Sequence, residues 1–356
     1  MEKKTLSRNL IRNLAGLAFL AVLIAAGDAF LGPFAVRILN LSAIYIVLAL
    51  SLNLVNGFTG LFSLGHAGFM AVGAYVSALL TMSPSLKEMN FFLAPIVPWL
   101  QGVQLPFLLA LLLAGAAAGF VGFLIGAPVL RLRDDYLAIA TLGFSEIIRV
   151  LITNAQTLTN GAQGLKGIPK YSTTWVVWGC AAATVLFMVL LLRSSYGRTL
   201  KAVRDDEVAA EAMGVNVARV KIVSFVASSF FAGVGGALLG HMITTIDPKM
   251  FILTLTFNIL LIVVLGGNGS ITGSVLAAII VTVLMEALRF LDMPMNFLFL
   301  KTNGLPGLRM VIFSILLMMV VLYRQRGLMG NKEFSWDMLS SAGLLPRRRK
   351  SGKGAL

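Results

Sequence analysis

Hydrophobic and polar positions along this chain do not alternate at the period of a strand or of a surface helix. They come in blocks. Apolar runs recur from Leu14 to Tyr323, separated by stretches rich in charge, glycine or proline. About 20 consecutive apolar residues are what a helix needs to cross the hydrocarbon core of a bilayer. Ten runs can be marked as spans. They are Leu14 to Phe30, Phe34 to Leu54, a third continuing to Leu80, Phe107 to Val129, and a fifth over YLAIATLGFSEIIRVLI. Tyr171 to Leu192, Ile222 to Met242, Phe251 to Leu265, a ninth reaching Phe290, and Leu308 to Tyr323 complete the set. The first is expected to stay as a span, because the apolar run resumes at once and no clear cleavage motif follows Ala26-Gly27-Asp28-Ala29; a cleaved signal peptide is the alternative.

Two interruptions are of unusual kind. Asn56-Gly57-Phe58-Thr59-Gly60-Leu61-Phe62-Ser63-Leu64-Gly65-His66-Ala67-Gly68 carries four glycines within thirteen residues up to Gly68 beside two hydroxyl side chains. Each glycine inside a helix costs about 1 kcal/mol relative to alanine. Irregular backbone at membrane depth survives only where protein or a watery cavity surrounds it. The stretch is therefore expected to break a helix beside a transport path. The second interruption, Gly266 to Gly273, is a glycine-rich turn whose spacing does not fit a dinucleotide motif, and no strand precedes it. Residues 82–105, with Pro84, Pro95 and Pro98, read as a loop with interfacial aromatics. Gly115-xxx-Gly119, Gly122-xxx-Gly126 and Gly236-xxx-Gly240 allow helices to approach closely, within the chain or at a subunit seam.

Composition sharpens this picture. The chain has 356 residues, 58% hydrophobic and 12% charged, with a mean hydropathy of +0.89. Soluble domains carry about 25% charged residues, so soluble folds drop out and an all-α polytopic membrane protein of about ten helices is expected, some broken or re-entrant. A single cysteine, Cys180, rules out an intrachain disulfide and a cysteine-based metal site. The net charge of +14 follows from the positive-inside rule rather than from nucleic-acid binding. With both termini placed in the cytoplasm, four Lys/Arg fall in the N-terminal arm, two in 131–135, six in 193–221 and eight after residue 323, twenty of the 29. The tail 324–356, ending in Arg347-Arg348-Arg349-Lys350, is expected to be a cytoplasmic basic tail, and 1–323 the transmembrane domain.

The longest charged interruption before that tail is Arg193–Lys221, RSSYGRTLKAVRDDEVAAEAMGVNVARVK. Its middle reads as a short helix. Asp205, Asp206 and Glu207 put negative charge where a helix N-terminus is partially positive, and Gly214 sits where a left-handed C-terminal cap is usual. Val208, Ala209, Ala212 and Met213 share one face, with Ala210 and Glu211 off it. A helix of two turns is not stable alone in water, so it must dock, either on this protein's own body, on the membrane surface, or in a cleft of a partner.

Here a family resemblance enters. Val208-Ala209-Ala210 followed by Gly214 resembles the EAA-xxx-G loop by which importer permeases dock on ATP-hydrolysing subunits, although Val208 replaces the leading Glu and no Leu-Pro follows. The wider YGRTLKAVRDDEVAAEAMGVNVARVK, the NGFTGLFSLGHAGF run, RLRDDYLAIATLGFSEIIR and TNGAQGL resemble the permease subunits of branched-chain amino-acid ABC importers (leucine, isoleucine and valine import). That resemblance implies a bacterial cytoplasmic-membrane protein with no cofactor of its own. It also implies a second homologous permease, two ATPase subunits carrying ATP and Mg, and a periplasmic or lipid-anchored substrate-binding protein. ATPase coupling would fall to Arg204, Asp205, Glu207, Ala209, Ala210 and Gly214. Urea or short amides are the alternative cargo.

Candidate path residues are the polar groups at breaks or inside spans: Asn53, Asn56, Thr59, Ser63, His66, Glu146 and Asn258. Glu146 and Arg149, three apart, face each other on a helix, as do Glu286 and Arg289; the first pair reads either as structural or as part of the path. His66 has only His241 as a second histidine, so a hydrogen-bonded structural role is expected over a metal or proton relay. No GxxxxGK[ST] phosphate loop occurs, so this chain should hydrolyse no ATP. A stand-alone secondary transporter would need ionisable relays at mid-membrane, and an enzyme would need a nucleophile or acid–base cluster. The sequence offers neither.

Overall fold

The computed structural model describes residues 32–132, 134–289, 295–297, 300–302, 308–323, 327–330 and 333. The expected first span and its basic arm, Arg133, and most of the basic tail lie outside the described residues.

The described chain is helical almost throughout. Helix α1, Pro33–Asn53, starts with proline in its first turn, where no intrahelical N–H is needed, and runs into a π turn, Leu54–Phe58. After an irregular stretch comes α2, His66–Thr81. The 82–105 loop contains two short helices the sequence did not signal, α3 (Pro84–Asn90) and α4 (Pro98–Gln101), each opened by a proline. Then follow α5, Phe107–Val129, and α6, Asp134–Asn154, with a single turn, α7, Gln156–Thr159. Helix α8 is Thr174–Arg193. The charged interruption holds two helices, α9 (Ser195–Asp205) and α10 (Glu207–Ala212), and leads into α11, Val217–Ile243. Helix α12 is Leu253–Gly266, α13 is Ile271–Ala287 and α14 is Leu308–Tyr323.

Two small antiparallel ladders add to the expected all-helical fold. Strand β1, Leu165–Lys166, pairs with β2, Thr245–Ile246, with Leu165 opposite Ile246. Strands β3, Met295–Phe297, and β4, Leu300–Thr302, form a hairpin. The first ladder fastens the loop after α6 to the loop after α11.

Six helical segments among the described residues are long and apolar enough to cross a membrane, and α2 and α13 are shorter apolar helices. Two of the six form the centre: the Pro33–Phe58 segment is 78% buried and α11 is 72% buried, against 28–44% for the other four. Helix α11 packs on α5, α2 and α1, and α1 packs also on α13 and α8. Without water between helices, association rests on close van der Waals contact, which small residues permit. A Cβ on Gly73 would strike the backbone of Gly233, and one on Gly236 the backbone of Met70, so α2 and α11 touch main chain to main chain. The glycines of α5 do the same service inside the chain: Gly115 faces Phe230, Gly122 faces Ser229 and Gly126 faces Phe225. The expected intramembrane pairs form. Arg149 reaches Glu146 at 2.6 Å and Arg289 reaches Glu286 at 3.6 Å.

Outside the spans, Lys87 of α3 is fully buried and its Nζ donates to the carbonyls of Leu100 at 2.8 Å and Val103 at 2.6 Å. It stitches the two short helices of that loop together, and burial lowers its pKa from the ordinary lysine value.

Candidate functional site

The helix break is real, and much of its backbone finds partners. In the π turn, the N–H and Oγ1 of Thr59 both donate to the carbonyl of Leu54, at 3.1 and 2.8 Å. Leu61 N–H reaches the carbonyl of Val55. Beyond that, no helix supplies acceptors, so side chains do. Ser63 N–H donates to Asn56 Oδ1 at 3.2 Å, Leu64 N–H to Thr141 Oγ1 of α6 at 3.0 Å, and Ala67 N–H to Thr256 Oγ1 of α12 at 3.0 Å. Buried N–H groups must find partners, and these come from three separate parts of the fold. The break is thus held by α6 on one side and α12 on the other.

Asn53, at the end of α1, is buried and uses its whole amide. Oδ1 accepts from Gly269 N–H at 2.9 Å, while Nδ2 donates to the Ser270 carbonyl at 3.0 Å and to Ser274 Oγ at 2.8 Å. It pins the break to the second glycine turn, Gly266–Gly273, more than 200 residues away in sequence. Gly57 and Gly269 meet there backbone to backbone. The two glycine-rich interruptions of the sequence are therefore one structural unit. His66, buried at the start of α2, shares a hydrogen bond with Ser51 Oγ at 2.8 Å. His241 bonds Thr81 and the carbonyl of Pro169. The histidines sit in separate settings, and among the described residues no group of His, Cys, Asp or Glu could hold a metal ion.

Of the other path candidates, Asn56 keeps its Nδ2 buried without a partner among the described residues. Asn258 is half-buried on α12. Glu146 is occupied by Arg149, whose Nε lies 2.7 Å from its Oε2. These side chains do not converge on one point. The structure brings together Asn53, Asn56, Thr59, Ser63 and His66, because they belong to one break, and leaves Glu146 and Asn258 on the helices that flank it.

The charged interruption packs directly beneath this unit. Asp206 caps α10 by accepting from Val208 and Ala209 N–H at 2.9 and 3.0 Å. Gly214, with φ of +83°, closes it, a conformation that costs an L-residue about 1–2 kcal/mol. The expected face of α10 points away from the body: Val208 is 78% exposed and Met213 85%, with Ala209 and Ala212 also exposed. Ala210 is the one buried side chain of α10. The segment is tied down at three points. Glu207 pairs with Lys221 of α11, Tyr196 Oη donates to the Val220 carbonyl at 3.1 Å, and Arg204 Nη1 donates to the Gly57 carbonyl at 3.4 Å. Arg204 is oriented by Asp205, whose Oδ1 accepts from Nη2 at 2.8 Å and Nε at 3.0 Å. Gly60 makes room for Arg204, since a Cβ there would lie 2.8 Å from Arg204 Cγ.

Several parts of this arrangement escaped the sequence. Ser51, Thr141, Thr256 and Ser274 are ordinary hydroxyl residues inside apolar runs, and nothing local marks them as partners of the break. Tyr196 and Lys221 look like the flanks of a loop. Least legible is Glu333, whose carboxylate accepts from Ile271 N–H at 2.7 Å, Thr272 N–H at 3.2 Å and Thr272 Oγ1 at 2.8 Å. A carboxylate at the first turn of α13 meets the partial positive charge of that helix end. Leu328 N–H donates to the Leu265 carbonyl at 2.8 Å, so this part of the tail clasps the same glycine turn.

Comparison with known proteins places the chain among transport proteins. Residues 34–322 match the family model described as branched-chain amino acid transport system / permease component. The high-affinity branched-chain amino acid transport system permease protein LivM of Escherichia coli K12 is 35% identical over 329 residues, covering 83% of this chain and 72% of the relative. The probable LivM protein of Methanocaldococcus jannaschii is 26% identical over 81% of this chain and 91% of its own length. The LivH permease of Salmonella typhimurium is 24% identical over 83% and 94%. No solved structure matches.

Proposed function

The chain belongs to the family of permease components of branched-chain amino acid transport systems, and from that premise we propose that it carries leucine, isoleucine or valine across the cytoplasmic membrane, driven by ATP hydrolysed on separate subunits. It is a multi-pass membrane protein and no enzyme in its own right. In the proposed arrangement it crosses the bilayer about ten times, with both termini and the 193–221 segment in the cytoplasm. Its companions are a homologous permease, two ATPase subunits and an external binding protein. Matches to both LivM and LivH proteins support the paired permease.

The observation that carries the coupling role is the exposed apolar face of α10, Val208, Ala209, Ala212 and Met213, on a helix too short to stand without a partner. Its back is fastened to the body, so a push on α10 has somewhere to go. Arg204 delivers it to Gly57 in the π turn, and Asn53 passes it to the second glycine turn. Single π turns inside α-helices are rare and occur frequently at functional sites, which makes Leu54–Phe58 the proposed hinge for alternating access. Asn53, Asn56, Thr59, Ser63 and His66 would flank that hinge, with Glu146 and Asn258 on the neighbouring helices. The test is to tag the chain in its native membrane, extract it in mild detergent and identify stoichiometric companions by mass spectrometry. Two ATPases and a second permease are expected; a homo-oligomer with no ATPase even after cross-linking would contradict the proposal.

A further inference from the structure

The turn between α12 and α13 is not closed by its own two helices. In a helix carried on past Gly266, the carbonyl of Leu265 would receive the N–H of Gly269, and that of Gly266 the N–H of Ser270. Both N–H groups go elsewhere. Gly267, with φ of +112°, turns the chain away; Gly269 N–H reaches Asn53 Oδ1 at 2.9 Å, and Ser270 N–H reaches the Gly267 carbonyl at 3.1 Å. The last carbonyls of α12 and the first N–H groups of α13 then need partners from outside the helices.

The chain that follows α14 supplies partners to both. Leu328 N–H donates to the Leu265 carbonyl at 2.8 Å, and Met329 N–H to the Gly266 carbonyl at 3.3 Å. Glu333 accepts from Ile271 N–H at 2.7 Å and from Thr272 N–H and Oγ1 at 3.2 and 2.8 Å. Gly327 fits main chain to main chain, since a Cβ there would lie 2.7 Å from the Gly267 nitrogen and 2.8 Å from the Val264 carbonyl oxygen. Residues 327–330 and Glu333 thus bridge α12 to α13 across the turn, as a strap. The same turn is held from the hinge side by Asn53, and a Cβ on Gly269 would lie 3.2 Å from Arg204 Nη1. Glu333 is exposed, so water can replace its bonds when the strap opens.

We infer that this strap is a latch on the hinge, an autoinhibitory contact that holds the resting arrangement and gives way when the hinge moves. The inference rests on the permease reading above and adds regulation to it. The carbonyls of Leu265 and Gly266 have two competing sets of donors: Leu328 and Met329 in the strapped form, or Gly269 and Ser270 in a form where α12 runs on through its glycines. Asn53 decides between them, because its Oδ1 keeps Gly269 N–H away from Leu265. A push reaching Asn53 through the π turn would free that N–H, extend α12 and displace the strap. A contact made in one arrangement only biases the equilibrium toward that arrangement, so its removal shifts the resting transporter toward the active one.

The test uses the complete transporter in nanodiscs, with its ATPase subunits, and reads ATP hydrolysis with and without the binding protein and L-leucine. Glu333→Ala should raise hydrolysis in the absence of both by about tenfold, the shift expected when hydrogen bonds to a charged group are lost. Thr272→Val, which loses one of the three bonds, should be intermediate. Gly327→Ala displaces the strap without touching a charge and should act like Glu333→Ala. The opposite manipulation is Thr272→Cys/Glu333→Cys in a background of Cys180→Ser. Unlinked, it should behave as Glu333→Ala; joined by a short cleavable thiol reagent, it should stay at the resting rate and take up no leucine until the link is reduced. A strap that merely stabilises the fold gives another pattern, a lower Tm with uptake and hydrolysis falling together. That pattern overturns the inference, as do unchanged resting hydrolysis in Glu333→Ala and Gly327→Ala, normal uptake by the linked protein, or failure of the two cysteines to link. An assembly without ATPase subunits sinks the permease reading and this inference with it. Hydrolysis stimulated by binding protein and leucine, with variants that match wild type, sinks the inference alone.

Discussion

Arg204 places its guanidinium against the carbonyl of Gly57, 147 residues earlier in the chain, at 3.4 Å. That contact joins the segment bearing the exposed helix α10 to the one π turn among the described helices. Asp205 holds the guanidinium in place, and Gly60 leaves room for its stem. Loss of the side chain should therefore uncouple the two without unfolding either. Arg204→Ala is expected to assemble normally and to hydrolyse ATP, while uptake falls about tenfold or more, the loss expected when a charge-assisted hydrogen bond goes. Uptake per ATP, measured in proteoliposomes, is the check. Wild-type stoichiometry in Arg204→Ala would remove Arg204 from the transmission route.

Gly214 makes a second point of failure. Its φ of +83° is closed to proline, and its N–H donates to the Glu211 carbonyl at 2.9 Å, which proline cannot do. Gly214→Pro should abolish transport while the protein still reaches the membrane. Gly214→Ala should cost about 1–2 kcal/mol locally and reduce uptake only in part. Membrane abundance by immunoblot alongside uptake separates misfolding from uncoupling.

Asn53 is a different kind of joint. With its amide fully used on Gly269, Ser270 and Ser274, replacing it by leucine strands the Gly269 N–H and takes one bond each from the Ser270 carbonyl and the Ser274 hydroxyl, which keep their bond to each other. Asn53→Leu should destabilise the protein by about 1–3 kcal/mol, the cost of the orphaned donor. Detergent thermal denaturation should show it as a clear fall in Tm. An unchanged Tm would mean that the two glycine turns are joined by other contacts.

Lys87 tests the loop before α5. Lys87→Met leaves the carbonyls of Leu100 and Val103 without their donor and should lower stability by about 1–3 kcal/mol. The pH dependence has a defined sign. Burial lowers the folded-state pKa of Lys87 below its unfolded value, so between the two values the unfolded chain binds more protons and stability rises with pH. The penalty on the charged form is fully present below the folded pKa and is gone above the ordinary value near 10.5. Thermal scans from neutral to alkaline pH should show this rise in wild type and not in Lys87→Met.

Much of this could be read from the chain because the strongest signals were one-dimensional. Block hydropathy located the spans, and Phe107–Val129 and Leu308–Tyr323 begin and end where it placed them. Helix chemistry located α10: Asp206 and Gly214 are the cap residues such a short helix requires. Glycine density marked the break, since no regular helix tolerates Gly57, Gly60, Gly65 and Gly68 together. What stayed hidden was every relation across distance. Nothing near Asn53 says that its partners are Gly269, Ser270 and Ser274. Nothing near Arg204 points to Gly57. Asp205 was expected to open the short helix, yet it ends α9 and leaves the capping to Asp206, because a single residue separates two helices there. Glu333 was taken with a basic tail, while its carboxylate closes the N-terminus of α13.

The central claim is that α10 is the surface on which an ATPase subunit acts. Val208 and Met213 are the side chains to use, being 78% and 85% exposed, with neither side chain among the fastenings of the segment. With Val208→Cys or Met213→Cys in a background of Cys180→Ser, a short bifunctional reagent should link this chain to an ATPase subunit in native membranes, with a yield that changes when ATP is bound. A transport-competent Val208→Cys or Met213→Cys protein that gives no such link, in any nucleotide state, would contradict the account.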